Sequence, residues 1–386
     1  MRAVVLNSVQ SKRLVGSDPW LRATIRAVDH LASCGHCIVA SVGTSTWEVV
    51  LWRAALRGAP VELICPLARG RDEGEARETI ASDFGVAPWQ AHWTFLRSAR
   101  SSGRCKDTWA GRDELAWRMA ELVVPVSVRP GGRWQSLLAN RSCPVRIEPQ
   151  WQVPWVRKGA GVRWDGVQLE GWPEGFDSSG GALIHFTRCG SGPWPGERAA
   201  DFYAAVARGG DNEVHDAWHT LERMLKESRI RGSSRHIRGQ ADAVCFTAMP
   251  LRETTSLFRW RRRYARPSFE PFGVALSMGA AIRLGAKPVR YDRGGAGAER
   301  EPGSLWRQGA GKNETWLHEQ EWRVAGDVDL GQLARHEAAL IVPTQAHAEQ
   351  AREWCRFPVL AGRGSCWSGA RSRDATRPSA HASNLA

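Results

Sequence analysis

Three titratable side chains in the second half of the sequence have the types and spacing that chemistry at a sugar carbon needs. His185 stands in an apolar run that predicts a strand, and Glu319 and Glu321 alternate at strand spacing just before the predicted strand at residues 322–324. An imidazole can donate a hydrogen bond to a ribose hydroxyl, and a carboxylate can stabilise an oxocarbenium-like centre. Because two strands can share one cleft, the pattern predicts chemistry at the glycosidic bond of NAD. The structural alternative is that His185 only supports its strand and that a glutamate pairs with Arg323 or Arg283.

Several short motifs accompany these residues along the chain. They are His185-Phe186-Thr187, Cys245-Phe246-Thr247 with Pro250-Leu251, Tyr264 with Phe272-Gly273-Val274, Pro288 to Tyr291, and Glu321-Trp322-Arg323. Their order over residues 182–325 resembles the AbiGi-type abortive-infection family. The resemblance implies an anti-phage effector and leaves its chemistry undefined.

The histidine and glutamate strands also resemble ADP-ribosyltransferases of the His–Tyr–Glu group, and Glu319-Gln320-Glu321 is similar to the E-x-E motif of arginine-modifying enzymes. This second resemblance implies an α+β effector domain with NAD as its substrate. It implies that His185 holds the ribose, that Glu321 is the catalytic acid and that Glu319 orients it. The implied candidates for contacts with NAD as a cofactor are Thr187, Tyr264 and Tyr291.

Apolar runs and helical periodicity alternate in the first part of the chain. The runs at 36–42, 61–65 and 123–128 predict buried strands, and helical patterns stand between them. This alternation predicts an α/β fold with a Rossmann-like open parallel sheet. Glycine turns follow two of these runs, at Gly43 and at Gly131, where backbone N–H groups can approach a phosphate. Plain turns without a ligand are the alternative.

The stretch from Lys106 to Gly132 resembles the SLOG superfamily, which includes the DprA/Smf DNA-processing proteins and the LOG nucleotide phosphoribohydrolases. In that superfamily an arginine-containing helix leads into a strand and a Gly-Gly turn. LOG enzymes carry a catalytic glutamate after these glycines, whereas residues 133–137 contain no acid. We therefore expect this domain to bind a nucleotide rather than hydrolyse it. The implied nucleotide-binding residues are Gly43, Thr44, Ser45, Arg112, Arg129, Gly131 and Gly132.

The chain is basic, with a formal net charge of +13. A positive chain attracts phosphate, so DNA, RNA or a nucleotide-derived signal is a candidate partner. The densest cluster surrounds Trp260, an arrangement that can combine phosphate contacts with base stacking. The alternative is that these arginines form a solvated face. The predicted nucleic-acid residues are Arg259, Arg261, Arg262 and Arg263.

No metal and no membrane contact are predicted. Cys34 and Cys37 have the C-x-x-C spacing, but no second pair follows at the distance of a zinc site. No run approaches the roughly 18 apolar residues of a bilayer span, and no secretory signal begins the chain. We expect a cytoplasmic protein. The predicted organisation is a nucleotide-binding-type domain at 1–150, a linker at 151–180, a separate α+β domain at 181–345 and a disordered tail at 363–386.

The main hypothesis combines these parts into a defence effector. Its first domain senses a nucleotide or nucleic acid, and its second consumes NAD or uses it to modify a target. The first alternative is a non-catalytic DNA-binding protein of the DprA type. The second is a nucleotide hydrolase in the first domain, which the missing acid disfavours. The signal, the target and the oligomeric state stay open.

Overall fold

Two β-sheets, one of six strands and one of seven, organise the protein. The computed structural model describes residues 1–10, 13–68, 70–97, 108–139, 146–156, 164, 166–210, 214–233, 241–261, 266–292, 304–309 and 317–364. No helix within these ranges is both long enough and apolar enough to cross a bilayer.

The first sheet is entirely parallel. Its strands are β1 (Arg2–Asn7), β2 (Cys37–Ser41), β3 (Val61–Leu67), β4 (Ala91–Arg97), β5 (Leu122–Ser127) and β6 (Arg146–Ile147). They lie in the order β4-β3-β2-β1-β5-β6. The chain therefore builds outwards from β1 to β4 and then returns to the other side of β1, so the direction of growth reverses between β1 and β5. The predicted α/β class with a parallel sheet is confirmed.

Helices cover both faces of this sheet, which explains why its central strands are continuous apolar runs. They are α1 (Pro19–Ser33), α2 (Ser45–Leu56), α3 (Glu73–Phe84), α4 (Trp109–Met119) and α5 (Arg133–Ala139). On one face, α1 and α2 bury Leu21 and Val49 against the sheet. On the other, α4 and α5 bury Trp117 and Trp134.

The second sheet is antiparallel except for its last pair of strands. In chain order it contains β7 (Ala182–Phe186), β9 (Ala243–Thr247), β12 (Gly273–Ser277), β13 (Lys287–Pro288), β16 (Glu321–Ala325), β18 (Ala338–Val342) and β19 (Val359–Ala361). Their order is β13-β16-β9-β7-β12-β18-β19. Glu321 is thus the first residue of β16, next to β9, and Glu319 lies in the turn just before that strand.

Three two-stranded ribbons and four helices complete the described elements. The ribbons pair β8 (Arg229–Ile230) with β17 (Val328–Asp329), β10 (Trp260–Arg261) with β11 (Arg266–Pro267), and β14 (Arg290–Asp292) with β15 (Arg307–Gly309). The helices are α6 (Ala199–Arg208), α7 (Ala217–Lys226), α8 (Met278–Arg283) and α9 (Gln345–Arg352). Short 3-10 turns span Pro149–Trp151, Leu251–Phe258, Ser304–Trp306, Leu317–Glu319, Leu330–Gln332 and Arg335–Glu337.

Two segments pack differently from the predicted organisation. Leu169 and Phe176 belong to the predicted linker, yet both are buried in the core of the second sheet. Helix α6 follows that linker, yet Phe202 and Tyr203 are buried in the core of the first sheet. The hydroxyl of Tyr203 also donates a 2.6 Å hydrogen bond to Glu48 on α2. Of the predicted tail, residues 365–386 lie outside the described residues.

Candidate functional site

The register of the second sheet decides which predicted catalytic residues share a face. Glu321 on β16 pairs with Thr247 on β9, and Thr247 pairs with Ile184 on β7. Directly opposed residues of antiparallel strands project to the same face, and successive residues project to opposite faces. His185 therefore projects away from Glu321, towards the face of Phe246, whose ring centre lies 5.8 Å from its own. The prediction that His185 and Glu321 share one cleft is wrong, and so is the form of the NAD hypothesis in which His185 holds the ribose beside Glu321.

His185 and Thr187 both make structural hydrogen bonds. His185 Nδ1 lies 2.8 Å from the carbonyl oxygen of Cys245. Since a carbonyl only accepts, Nδ1 carries the proton and donates it. Burial lowers the pKa of His185, and the Cys245 carbonyl opposes this shift, so the ring is neutral at neutral pH. The buried Thr187 hydroxyl lies 3.0 Å from the carbonyl oxygens of both Ala217 and Phe272.

The opposite side of the sheet, which we call the carboxylate face, is defined by Cys245, Thr247, Glu321 and Arg323. Glu321 Oε1 accepts a 2.8 Å hydrogen bond from Nε of Arg323. Its Oε2 accepts a 2.9 Å bond from the hydroxyl of Tyr291. Burial and the charge of Glu321 raise the pKa of Tyr291, so the phenol keeps its proton and remains a donor. Two donors therefore fix the orientation of the Glu321 carboxylate.

The buried Arg323 holds the Glu321 carboxylate in place. Its side chain is only 2% exposed. Nη1 donates to the carbonyl oxygen of Leu305 at 2.6 Å, and Nη2 donates to Gln308 Oε1 at 3.1 Å. A planar guanidinium with several filled donor positions is a rigid support for a carboxylate. Beside it, burial followed by the Glu321 charge raises the pKa of Cys245 to about 12, which makes this thiol a poor nucleophile.

Glu319 has a different environment from Glu321. It ends the turn Leu317–Glu319, and its Oε1 lies 3.9 Å from Nη2 of Arg259. Burial and then the negative charge of Glu321 raise the pKa of Glu319, while Arg259 and Arg261 oppose the shift. Two adjacent carboxylates with different environments are suited to different roles in one reaction.

The described part of the basic cluster lies beside these carboxylates. Arg259 is half-exposed, and Arg261 donates a 2.7 Å hydrogen bond to Ser268 Oγ. Both guanidinium groups act electrostatically on Glu319. The arginines and the glutamates are separate features in the sequence, and the structure brings Arg259 and Arg261 close to Glu319. The remaining predicted residues of this region, Arg262, Arg263 and Tyr264, lie outside the described residues.

Replacing Glu319 by glutamine is expected to stabilise the folded protein at neutral pH. Because the folded-state pKa is raised, the folded protein holds ionised Glu319 less favourably than the unfolded chain does. This contribution favours folding below the unfolded pKa and is lost as pH rises through the folded pKa. Urea unfolding should show Glu319→Gln more stable than wild type at neutral pH and equal to it in acid. The exposed Glu349→Gln is the control, and a less stable Glu319→Gln at neutral pH would contradict the pKa direction.

At the first glycine turn, a side chain of the protein accepts the hydrogen bond of the glycine N–H group. Gly43 has a φ of +96°, which glycine adopts without strain. Its N–H donates to Glu48 Oε1 at 2.9 Å, and Oε2 of the same carboxylate accepts the Tyr203 hydroxyl. At the second turn, the N–H of Gly131 donates to the side-chain oxygen of Gln135. The N–H groups that we predicted to bind phosphate are thus bonded to the chain itself.

Arg112, predicted as a phosphate partner, is instead buried and supports the turn after β2. Its guanidinium carbon lies 5.3 Å from the ring centre of Trp47 and 5.6 Å from that of Trp109. Nε donates to Asp113 at 2.9 Å, and Nη1 donates to the carbonyl oxygen of Val42 at 3.2 Å. Arg112 is 3% exposed, so it holds the β2 turn and is not presented to a ligand in solution.

The other predicted residues of the first sheet lie along its C-terminal edge. Arg129 is exposed, and its guanidinium lies 5.4 Å from the ring centre of Trp155. The N–H of Gly132 donates to the carbonyl oxygen of Arg129 at 3.0 Å, as in an ordinary turn. Thr44 precedes α2, its hydroxyl lies 3.3 Å from that of Thr46, and Ser45 begins the helix.

Comparison with known proteins adds no relative to this description. No protein-family model, curated protein or solved structure matches the chain. The resemblances drawn from the motifs therefore stay predictions. Within the described ranges, no group of three or more His, Cys, Asp or Glu side chains is arranged to hold a metal ion.

Proposed function

We propose that the carboxylate face cleaves the N-glycosidic bond of NAD and transfers the ADP-ribosyl group to water or to a target. The observation that carries this proposal is the pair Glu319 and Glu321 in unequal environments, with the positive charge of Arg259 and Arg261 beside it. Such a pair provides one group to stabilise a cationic sugar centre and one to accept a proton.

The proposed reaction replaces nicotinamide at the anomeric carbon with water or a target nucleophile. The bond between the anomeric carbon and the nicotinamide nitrogen breaks, and both electrons leave with the neutral nicotinamide. Glu321, oriented by Arg323 and Tyr291, stabilises the positive charge that develops at the sugar. Glu319 accepts the proton of the water or target nucleophile whose lone pair forms the new bond to that carbon. Tyr291 thereby acts as a positioning residue through Glu321.

The arginines favour a substrate that carries phosphate. Arg259 and Arg261 present positive charge next to the two glutamates, and guanidinium groups recognise the oxygens of a pyrophosphate well. We place NAD chemistry ahead of DNA binding at this cluster, because phosphate binding alone gives the pair of glutamates no role. We confine the proposed chemistry to the second sheet, since Glu48 and Gln135 already accept the glycine N–H groups of the first.

Release of nicotinamide tests this proposal because it is common to hydrolysis and transfer. The full chain is incubated with NAD, alone and with added nucleotides or DNA, and nicotinamide is quantified by chromatography. We expect release whose rate rises with pH through the raised pKa of Glu319, because the proton acceptor must be ionised. A folded protein that releases none under any of these additions would overturn the proposal.

The cellular role follows from the motif resemblance. An NAD-consuming protein of the abortive-infection type would arrest an infected cell and limit phage growth. Its expected cellular signature is a fall in NAD during infection that depends on Glu321.

A further inference from the structure

An unusual backbone conformation separates the two glutamates. Gln320 has a φ of +43°, one of only two positive values among the non-glycine residues that the structure describes. Its side chain is exposed, so packing of that side chain does not explain the conformation. A left-handed residue that is not glycine is strained, and it persists only where neighbouring contacts impose it.

The end of β9 supplies those contacts. The hydroxyl of Thr247 donates a 2.5 Å hydrogen bond to the carbonyl oxygen of Glu319, and it accepts the N–H of Met249 at 3.2 Å. The N–H of Ala248 donates to the carbonyl oxygen of Gln320 at 3.0 Å. Thr247 is 7% exposed, so water does not readily replace these hydrogen bonds, and breaking them costs free energy.

Thr247 therefore lies next to the backbone of both glutamates. By register it lies directly opposite Glu321, and by its hydroxyl it holds the backbone of Glu319. An extended Gln320 would carry Glu319 onwards along the line of β16. The left-handed conformation of Gln320 instead places the carbonyl group of Glu319 next to β9.

We infer that Thr247 is the positioning residue that sets the separation of Glu319 and Glu321 by holding Gln320 in its left-handed conformation. The expected effect on turnover rests on the proposed function, whereas the expected effect on the backbone at Gln320 does not. A misplacement of a reacting group by about 1 Å can lower turnover up to a hundredfold, so loss of this hydroxyl should affect turnover more than substrate binding.

The test compares Thr247→Val with Thr247→Ser in the full chain. Valine has nearly the same shape without the hydroxyl, and serine restores it. In Thr247→Val we expect faster hydrogen–deuterium exchange of the Ala248 amide, and a kcat for nicotinamide release about tenfold lower at nearly constant KM. Thr247→Ser should keep both near wild type. Exchange and turnover of Thr247→Val that match wild type would overturn the inference.

A second pair of variants covers the case in which Thr247→Val fails to fold. Gln320 is exposed, so changes there do not disturb the core. Gln320→Gly adopts the left-handed conformation freely and should behave as wild type, whereas Gln320→Val disfavours it and should behave as Thr247→Val. If wild type releases no nicotinamide, only the proposed function fails. Hydrogen–deuterium exchange of the Ala248 amide in these variants still tests whether the left-handed conformation of Gln320 holds the backbone in place. Equal exchange in the glycine and valine variants would overturn it.

Discussion

Replacing Glu321 by glutamine is expected to lower the rate of nicotinamide release by about 10²–10³-fold, the usual effect of removing one group that stabilises charge in a transition state. Glutamine keeps an oxygen that can accept from Arg323 or Tyr291, so the shape of the site changes little. It removes the negative charge opposite the developing cation. The measurement is kcat from chromatography of released nicotinamide, with thermal unfolding recorded on the same samples.

Glu349→Gln is the matched control for this prediction, because Glu349 is an exposed glutamate on α9. It should retain wild-type turnover. If folded Glu321→Gln retained more than about a tenth of the wild-type rate, Glu321 would not stabilise the transition state, since that loss corresponds to only about 1.4 kcal/mol.

Replacing Arg323 by methionine is expected to destabilise the protein by about 3 kcal/mol, as when one partner of a buried ion pair is removed. The side chain is 2% exposed, so water cannot replace the lost guanidinium. Its removal leaves Glu321 without its cation and the carbonyl oxygen of Leu305 without its donor. Urea unfolding measures the change in the free energy of unfolding.

Arg352→Met is the control for this second prediction, since Arg352 is exposed at the end of α9. It should change the free energy of unfolding by less than about 0.5 kcal/mol. Adding Glu321→Gln to Arg323→Met should recover part of the loss, because the buried charge then disappears. A loss in Arg323→Met no larger than in the control would show that the Arg323 contacts contribute little to stability.

The fold was predictable where the pattern was strong and local. The apolar runs gave β2, β3 and β5, and the helical patterns between them correspond to α2, α3 and α4. The central strand β1 was missed because its apolar run of four residues stands at the chain start without a preceding turn signal. Strand β4 was missed because an edge strand is only partly buried and lacks a continuous apolar run.

Long-range packing could not be predicted from local patterns. Helix α6 has an apolar face that suits either core, and only the structure places Phe202 and Tyr203 against the first sheet. In the same way, the glycine turn after β2 has the composition of a phosphate loop. Nothing in its spacing reveals that Glu48, one turn into α2, accepts the Gly43 N–H.

At the candidate site, the spacing of Glu319 and Glu321 correctly indicated a pair of nearby carboxylates. The sequence did not reveal which side of the sheet each candidate residue faces. Whether His185 faces Glu321 depends on the register of three strands that are far apart in sequence, and a shift of one residue would reverse the answer. Arg323 was recognisable as a partner of Glu321, because residues two apart on a strand share a face. The positioning role that we infer for Thr247 had no signal beyond its place in the Cys245-Phe246-Thr247 motif.

In the proposed reaction the carboxylate face carries out the chemistry, and the histidine on the opposite face does not take part. The most direct measurement compares nicotinamide release by wild type, Glu321→Gln and His185→Asn in one assay with NAD. Asparagine can still donate a hydrogen bond to the Cys245 carbonyl oxygen that now accepts from His185. We expect His185→Asn to keep at least half of the wild-type rate, a loss of no more than about 0.4 kcal/mol, and Glu321→Gln to lose nearly all of it. Loss of activity in a folded His185→Asn together with an active Glu321→Gln would contradict it.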